Sequence, residues 1–227
     1  MIWGLLGVLV AIGLGARLIH VYYLNRQRRT AGEKKLFASV LTLIENPEFE
    51  AQGPNQYPRL KGTYQHLPIQ IHPVVDTLAT RRLPALWLLV TVQDRLPLKA
   101  RFDMMMRPAG LSTFSNFDHL PETLKHPEGF PEHAVVRTDD PEEVLPAEII
   151  RPHIGAFFGN RAKELLITEN GLRIVWLVAE ADRARYGVFR QAEFGEIEID
   201  PKIAQDILDT LLALRLDILA WNERKND

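Results

Sequence analysis

The chain of 227 residues has 27 Lys and Arg residues against 29 Asp and Glu residues, and its formal net charge of −2 gives no reason to expect a nucleic-acid partner. It contains no cysteine, so it has neither disulfides nor a thiol nucleophile. Hydrophobic residues make up 46% and charged residues 25%, as in a globular domain with one apolar segment attached.

The apolar segment is Ile2–Leu24. Its 23 residues, built as one helix at 1.5 Å per residue, would extend about 34 Å and cross a hydrocarbon core of about 30 Å. Its far end carries the residue types of a membrane interface: Arg17, Tyr22, Tyr23, Arg26, Arg28 and Arg29. We therefore predict an uncleaved transmembrane anchor over residues 1–25. A cleaved signal peptide and a buried core helix are the alternatives, but a signal peptide would need basic residues before the apolar run and a small-residue cleavage site after it.

The charges that flank this segment predict its orientation. Several cations follow the apolar run closely, whereas only the α-amino group precedes it. By the positive-inside rule the C-terminal side is then cytoplasmic, which predicts a single-pass protein of a bacterial inner membrane. The same cations would attract anionic membrane lipid, and they need no nucleic acid to explain them.

A stripe of small residues predicts a partner for the anchor. Four of them fall near one face of the helix: Gly4, Gly7, Ala11 and Gly15. Small residues at this spacing let two membrane helices approach closely, so the partner would be another transmembrane protein or a second copy of this chain. The alternative is that glycine and alanine are simply common in membrane helices.

Residues 26–47 are predicted to form a basic juxtamembrane segment and a short amphipathic helix. Thr30 and Glu33 have the spacing of a capping box, and apolar residues then recur with helical periodicity until Asn46-Pro47. This helix either lies on the membrane or packs on the following domain. Packing is favoured, because its polar face is not rich in Lys or Arg.

Residues 48–227 are predicted to form a soluble α+β domain. Residues 48–59 have the composition of a loop, and strands are predicted at 60–65, 69–75 and 85–92. Residues 98–106 alternate between apolar and polar side chains, which predicts a strand with one covered face and with Asp103 on the other.

The second half of the domain has clearer signals for turns and for the starts of helices. Asp140-Pro141 predicts the start of a short or kinked helix, and Asn170-Gly171 predicts a hairpin between strands 164–168 and 172–179, with a third strand at 185–191. Asp200-Pro201 predicts the start of a helix that reaches about Glu223. Runs of strands without regular βαβ alternation predict a largely antiparallel sheet packed with this long C-terminal helix.

Sequence motifs give little evidence of chemistry. None of the three serines lies in a G-x-S-x-G turn and there is no phosphate-binding loop, so no cofactor is predicted. Residues 118–133 hold His119, His126 and His133 together with four carboxylates, a set of side chains that could ligate a transition metal. The other interpretation is a solvated polar loop, because such residues are ordinarily exposed and their spacing matches no known metal motif.

These observations suggest two functions. The first is an accessory, assembly or scaffolding protein of a membrane complex, since an anchor with a small-residue stripe carries a large domain without catalytic motifs. The second is a membrane-tethered domain that binds a small ligand or a metal, with or without an enzymatic activity.

Overall fold

A computed structural model describes residues 35–53, 56–78, 83–183 and 194–226, together with Gly15, Arg17 and Ala192. Gly15 and Arg17 have helical backbone, and the rest of the predicted anchor lies outside the described residues, as does the strand predicted at 185–191. Within the described residues, no helix combines the length and the apolar character that crossing a bilayer requires.

A single antiparallel sheet dominates the described part of the chain. Its nine strands are β1 (Glu45–Glu50), β2 (Arg59–Tyr64), β3 (Leu67–Asp76), β4 (Ala85–Gln93), β5 (Phe102–Met106), β6 (Glu122–Thr123), β7 (Ala134–Thr138), β8 (Ala162–Thr168) and β9 (Gly171–Glu180). They lie in the order β1-β2-β3-β4-β9-β8-β5-β7-β6. The hairpin predicted at Asn170-Gly171 joins β8 to β9, and Gly171 has φ +139°, where a Cβ would lie 2.2 Å from the Val92 carbonyl oxygen.

Helices pack against one face of this sheet, which we call the first face. The four-residue helix α1 (Ala147–Ile150) is followed by two 3₁₀ turns, Arg151–His153 and Gly155–Phe158. The long helix α2 (Pro201–Asn226) begins as predicted, with the Asp200 carboxylate accepting a hydrogen bond from the Lys202 amide at 2.9 Å. Its apolar stripe is buried on the sheet, with Leu208, Leu211 and Leu214 fully inaccessible. The predicted α+β class is therefore confirmed.

The segment that precedes β1 belongs to the same core. Leu36, Phe37 and Val40 are at most 1% exposed, and a 3₁₀ turn at Val40–Leu43 leads directly into β1. The Leu36 carbonyl accepts a hydrogen bond from the Ile199 amide at 2.9 Å, which ties this segment to the start of α2. The residues assigned by sequence to a juxtamembrane helix thus pack on the domain from Leu36 onward, but residues 37–43 form turns rather than a regular helix, and β1 begins at Glu45.

Three details differ from the sequence predictions. β1 occupies part of the segment predicted as a loop, and Pro47 is tolerated there because β1 is an edge strand. Residues 141–144 form a turn rather than a helix, with Asp140 accepting a hydrogen bond from the Glu142 amide, and the helix begins later, at Ala147. β5 is covered on both faces, because a loop crosses the face that the alternation of polar residues had assigned to solvent.

Candidate functional site: the second face of the sheet

We call the face of the sheet opposite α2 the second face. It contains buried and half-buried titratable side chains. Along β5, Phe102, Met104 and Met106 point into the main core, whereas Met105 belongs to a separate small core. Since side chains alternate along a strand, Asp103 shares the second face with Met105. Residues paired directly across antiparallel strands share a face, which places Glu164 opposite Met105 and Arg137 opposite Asp103 on this side.

Residues 107–121, which we call the strap, cover one half of the second face. Phe114 and Phe117 are 7% and 2% exposed and pack with Leu89, Met105 and Val175 of the sheet. We call this part the covered half. The part formed by β2, β3 and the adjoining side of β4 and β9 is the open half.

Aromatic and cationic contacts hold the strap in place. The Phe114 ring lies 5.4 Å from that of Trp87, and the Arg137 guanidinium lies 5.3 Å from the Phe117 ring centroid. Arg137 Nη1 also donates to the Asp118 carbonyl at 3.1 Å. Arg107 leaves β5 with φ +44°, a left-handed conformation that turns the chain off the strand.

Two carboxyl groups are buried beneath the strap. Asp103 is 2% exposed and Glu164 is fully inaccessible. Glu164 accepts hydrogen bonds from the Ser115 hydroxyl and from Arg173 Nη2, the latter at 3.1 Å. Asp103 Oδ1 has no hydrogen-bond partner among the described residues, which is rare for a buried carboxyl oxygen. Arg173 is thus the main counterion of this pair.

Burial favours the neutral, protonated forms of these two carboxyl groups. It raises the pKa of Asp103 to about 8, with a smaller contribution from the nearby Glu164 carboxylate, against the opposing charges of Arg173 and Arg101. Burial also raises the pKa of Glu164, although Arg173 and the Ser115 hydroxyl oppose it. A carboxyl that is protonated at neutral pH is chemically a proton donor. Under the strap, however, Asp103 is almost inaccessible to a ligand in solution.

The open half contains a histidine held in its neutral form. His72 on β3 is half-buried, and burial lowers its pKa to about 4, with further lowering from the Arg59 and Arg173 guanidinium groups. Arg59 donates from Nη1 to Glu50 at 3.1 Å, and Lys61 pairs with the other oxygen of the same carboxylate at 3.1 Å. Two arginines therefore act electrostatically on one neutral imidazole.

A cleft of about 190 Å³ opens at the edge of the strap. Its apolar wall comprises Trp87, Met105, Leu111, Phe114 and Leu177, and Arg107 and Lys163 are among its polar lining residues. Lys163 Nζ donates to the Met106 carbonyl at 2.5 Å and to the Arg107 carbonyl at 2.9 Å. Trp87 Nε1 is buried and has no hydrogen-bond partner among the described residues.

The predicted metal residues lie around the strap and the loop that follows it. His119 ends the 3₁₀ turn Phe117–His119, His126 Nδ1 lies 3.2 Å from the Ala134 carbonyl oxygen, and the His133 carbonyl accepts a hydrogen bond from the Arg107 amide at 3.0 Å. Over the described ranges, no three His, Asp or Glu side chains come together in an arrangement that could hold a metal ion. Of the predicted membrane residues, Gly15 and Arg17 alone are described.

Sequence analysis did not single out the buried carboxyl pair as a site. Asp103 alternates with apolar residues along β5, and without the strap this pattern indicates a solvent-facing position. Glu164 gave no clearer signal, because it is the first residue of the predicted strand 164–168 and directly follows Lys163.

Comparison with known proteins adds little to this geometry. The sequence matches no protein-family model and no curated protein. Among solved structures, the chain is similar to the crystal structure of the mycobacterial trehalose monomycolate transport factor A, TtfA, with a TM-score of 0.45 and 8% sequence identity over 83% of this chain and 94% of that chain. A similarity of this degree establishes neither a shared fold nor a shared function.

Proposed function

We propose that this chain is a single-pass, membrane-anchored accessory, assembly or scaffolding protein of a membrane complex, with its sheet domain on the cytoplasmic side. The observation that carries the proposal is the apolar segment Ile2–Leu24, flanked by cations and lined by small residues. It is joined to a domain that is already folded at Leu36.

The length of the connection supports a role close to the membrane. Eleven peptide steps separate Leu24 from Lys35, where the described part of the domain begins. Even a fully extended chain of that length spans at most about 40 Å. The domain would therefore stay within about one domain diameter of the bilayer, where it could contact the cytoplasmic parts of other membrane proteins.

Labelling of single cysteines tests the anchor and its orientation, since the chain has none of its own. One variant places a cysteine directly after Met1 and the other is Leu111→Cys, at a side chain that is 64% exposed. In intact cells we expect a membrane-impermeant maleimide to label the first variant only, and to label Leu111→Cys after permeabilisation. Labelling of Leu111→Cys in intact cells would place the domain outside the cytoplasm.

Exchange of the anchor tests the accessory role. The full-length tagged protein is purified from native membranes in mild detergent, beside a variant whose residues 2–24 are replaced by an unrelated apolar helix. We expect a stoichiometric membrane partner with the native anchor and its loss with the replacement. Retention of the partner by both proteins would refute recognition through the small-residue stripe, and recovery of the protein alone would refute the accessory role.

The cleft beside Trp87 favours a second candidate function, a membrane-tethered domain that binds a small ligand. Its apolar wall suits an apolar ligand. Thermal-shift screening of the full chain tests this, since a ligand at 100 times its dissociation constant stabilises the folded state by about 2.7 kcal/mol. A true ligand would lose its effect in Leu111→Asp, which places a charge in the apolar wall at a side chain that is 64% exposed. A library without any stabilising compound would count against this function.

A further inference from the structure

The strap is attached to the sheet by side chains rather than by its backbone. Over residues 108–121, the backbone hydrogen bonds among the described residues stay within the strap, from His119 to Asn116 and from Leu120 to Phe117. Beneath it, β5 pairs directly with β7 on one side and with β8 on the other. The strap can therefore move away from the second face without breaking any pairing of strands.

Two polar side chains of the sheet hold the strap. The buried Glu164 carboxylate accepts a hydrogen bond from the Ser115 hydroxyl, and Arg137 Nη1 donates to strap carbonyls, that of Asp118 at 3.1 Å. Both side chains lie next to Asp103 in the sheet. Arg137 is directly opposite it on β7, and Glu164 is one pair further along on β8, on the same face.

Asp103 has no hydrogen-bond donor of its own at this place. Its Oδ1 atom is buried and unpaired among the described residues, and so is Nε of the facing Arg137. Because a guanidinium group is planar and rigid, turning Nε towards Asp103 would take Nη1 away from the strap carbonyls. Arg173 Nη2 is already bonded to Glu164 at 3.1 Å. An ionised Asp103 therefore needs either water or Arg137, and the strap has to move to supply either one.

The charged groups that surround Asp103 come from every element packed against it. They are Arg101 and Asp139 at one end of the β5–β7 pair, Arg137 of β7, Glu164 and Lys163 of β8, Arg173 of β9, and the exposed Asp118 and His119 of the strap. Asp103 Oδ1 accepts a hydrogen bond from none of these cations. Burial and the Glu164 carboxylate together outweigh their attraction, so the pKa of Asp103 is raised to about 8.

We propose that the strap is a proton-controlled cover, closed over the second face while Asp103 holds its proton and released from the sheet when that proton is lost. In the closed state a charged Asp103 is poorly solvated, and release of the strap lets water reach it. Release also uncovers the small apolar core between strap and sheet, which consists of Leu89, Met105, Phe114, Phe117 and Val175. The strap thus links the proton state of one buried carboxyl to the exposure of an apolar surface.

Proton linkage gives the size of the expected effect. Asp103 titrates at about 8 under the closed strap, whereas a hydrated aspartate titrates at about 4. The equilibrium constant for strap opening should therefore rise about tenfold for each pH unit between these values and level off above pH 8. The raised pKa of Glu164 acts in the same direction and makes the rise steeper.

Hydrogen exchange of the full chain in neutral detergent micelles tests this proposal. Exchange is followed by mass spectrometry between pH 5 and 9 and is corrected for the intrinsic rate at each pH. We expect protection of residues 107–121 to fall by about tenfold or more per pH unit up to pH 8. Above pH 7 the strap should exchange faster than β4 and β9. Low concentrations of urea should accelerate exchange in β4 and β9 but hardly in the strap, because local opening exposes little surface.

Two substitutions assign the effect to Asp103. Asp103→Asn should weaken the pH dependence of strap exchange, because an amide does not ionise, whereas Asp118→Asn, at an exposed carboxyl of the same strap, should leave it unchanged. An unchanged pH dependence in Asp103→Asn would overturn the proposal. If that variant does not fold, the unsubstituted protein still decides. Strap protection that stays constant from pH 5 to 8 would overturn the proposal, and so would equal exchange of the strap, β4 and β9, which would mean that the whole domain unfolds.

Discussion

The covered and open halves of the second face differ in the proton state that burial imposes. Under the strap, burial keeps the carboxyl of Asp103 protonated, whereas on the open half it keeps the imidazole of His72 deprotonated. The physical cause is the same, since a poorly solvated site disfavours whichever form is charged. The consequences for stability have opposite signs, because the folded state binds an extra proton at Asp103 and one fewer at His72.

These signs predict the pH profile of the whole protein. The stabilisation linked to Asp103 is fully present at pH 4 and is lost as the pH rises towards 8, whereas that linked to His72 is fully present above pH 6.5 and is lost as the pH falls towards 4. The two effects oppose each other between pH 4 and 6.5. The raised pKa of Glu164 acts in the same direction as that of Asp103, so stability should decline as the pH rises, most steeply above pH 6.5, where the opposing contribution of His72 is complete.

Removal of the Phe117 ring, which packs the strap on the sheet, should have the largest effect on stability. Phe117→Ala deletes a ring that is 2% exposed and contacts the Arg137 guanidinium, so we expect a loss of about 3 kcal/mol or more in the free energy of unfolding. Leu111→Ala, on the same strap but 64% exposed, should change it by less than about 0.5 kcal/mol. Urea unfolding measures both. Equal effects of the two substitutions would mean that the strap does not pack as described.

Asp103→Asn should remove the proton linkage of the covered half. An amide keeps the shape of the carboxyl but does not ionise, so the variant should be more stable than the unsubstituted protein at pH 8, by a few kcal/mol at the linkage of about 1.4 kcal/mol per pH unit. At pH 4 the two proteins should be alike. Unfolding at a series of pH values measures this, with Asp118→Asn on the exposed strap surface as the control. A variant as pH-dependent as its parent would show that Asp103 is ionised in the fold.

His72→Gln should remove the linkage of the open half. We expect the variant to be more stable than its parent at pH 4.5, by about 1 kcal/mol after allowance for the solvent that reaches this half-buried site, and equal to it at pH 8. His66→Asn, at an exposed turn residue with φ +67°, serves as the control and should leave the shape of the pH profile unchanged. A profile that responds to His66 rather than to His72 would contradict the assignment.

The smallest effect is expected at the exposed carboxylate beside the open half. Glu50→Gln removes the partner of both Arg59 and Lys61, yet exposed ion pairs contribute little to stability, and the melting temperature should not change measurably. A clearly lower melting temperature would assign Glu50 a structural role instead.

Sequence reasoning found the parts of the fold that have local signals. The hairpin at Asn170-Gly171 and the helix that begins at Pro201 follow from turn and capping chemistry within a few residues. β1 was missed, because an edge strand that contains Pro47 has neither alternation nor an apolar run.

The candidate site could not be predicted from local sequence patterns, because its residues come from different strands. Asp103, Glu164 and Arg173 meet only because β5 and β9 flank β8, an order of strands that no local pattern encodes. The same holds for the electrostatic effect of Arg173 on His72, which depends on the pairing of β4 with β9. The strap, which decides that Asp103 is buried, has no regular periodicity and could not be placed on the sheet in advance.

The most direct test of this comparison is NMR titration of the Asp103 carboxyl carbon and the His72 ring in one sample of the full chain. We predict that Asp103 titrates near pH 8 and His72 near pH 4, each displaced in the direction of its neutral form. If both groups titrate near their ordinary values, at about pH 4 and 6.5 respectively, the second face is hydrated and the contrast between its halves does not exist.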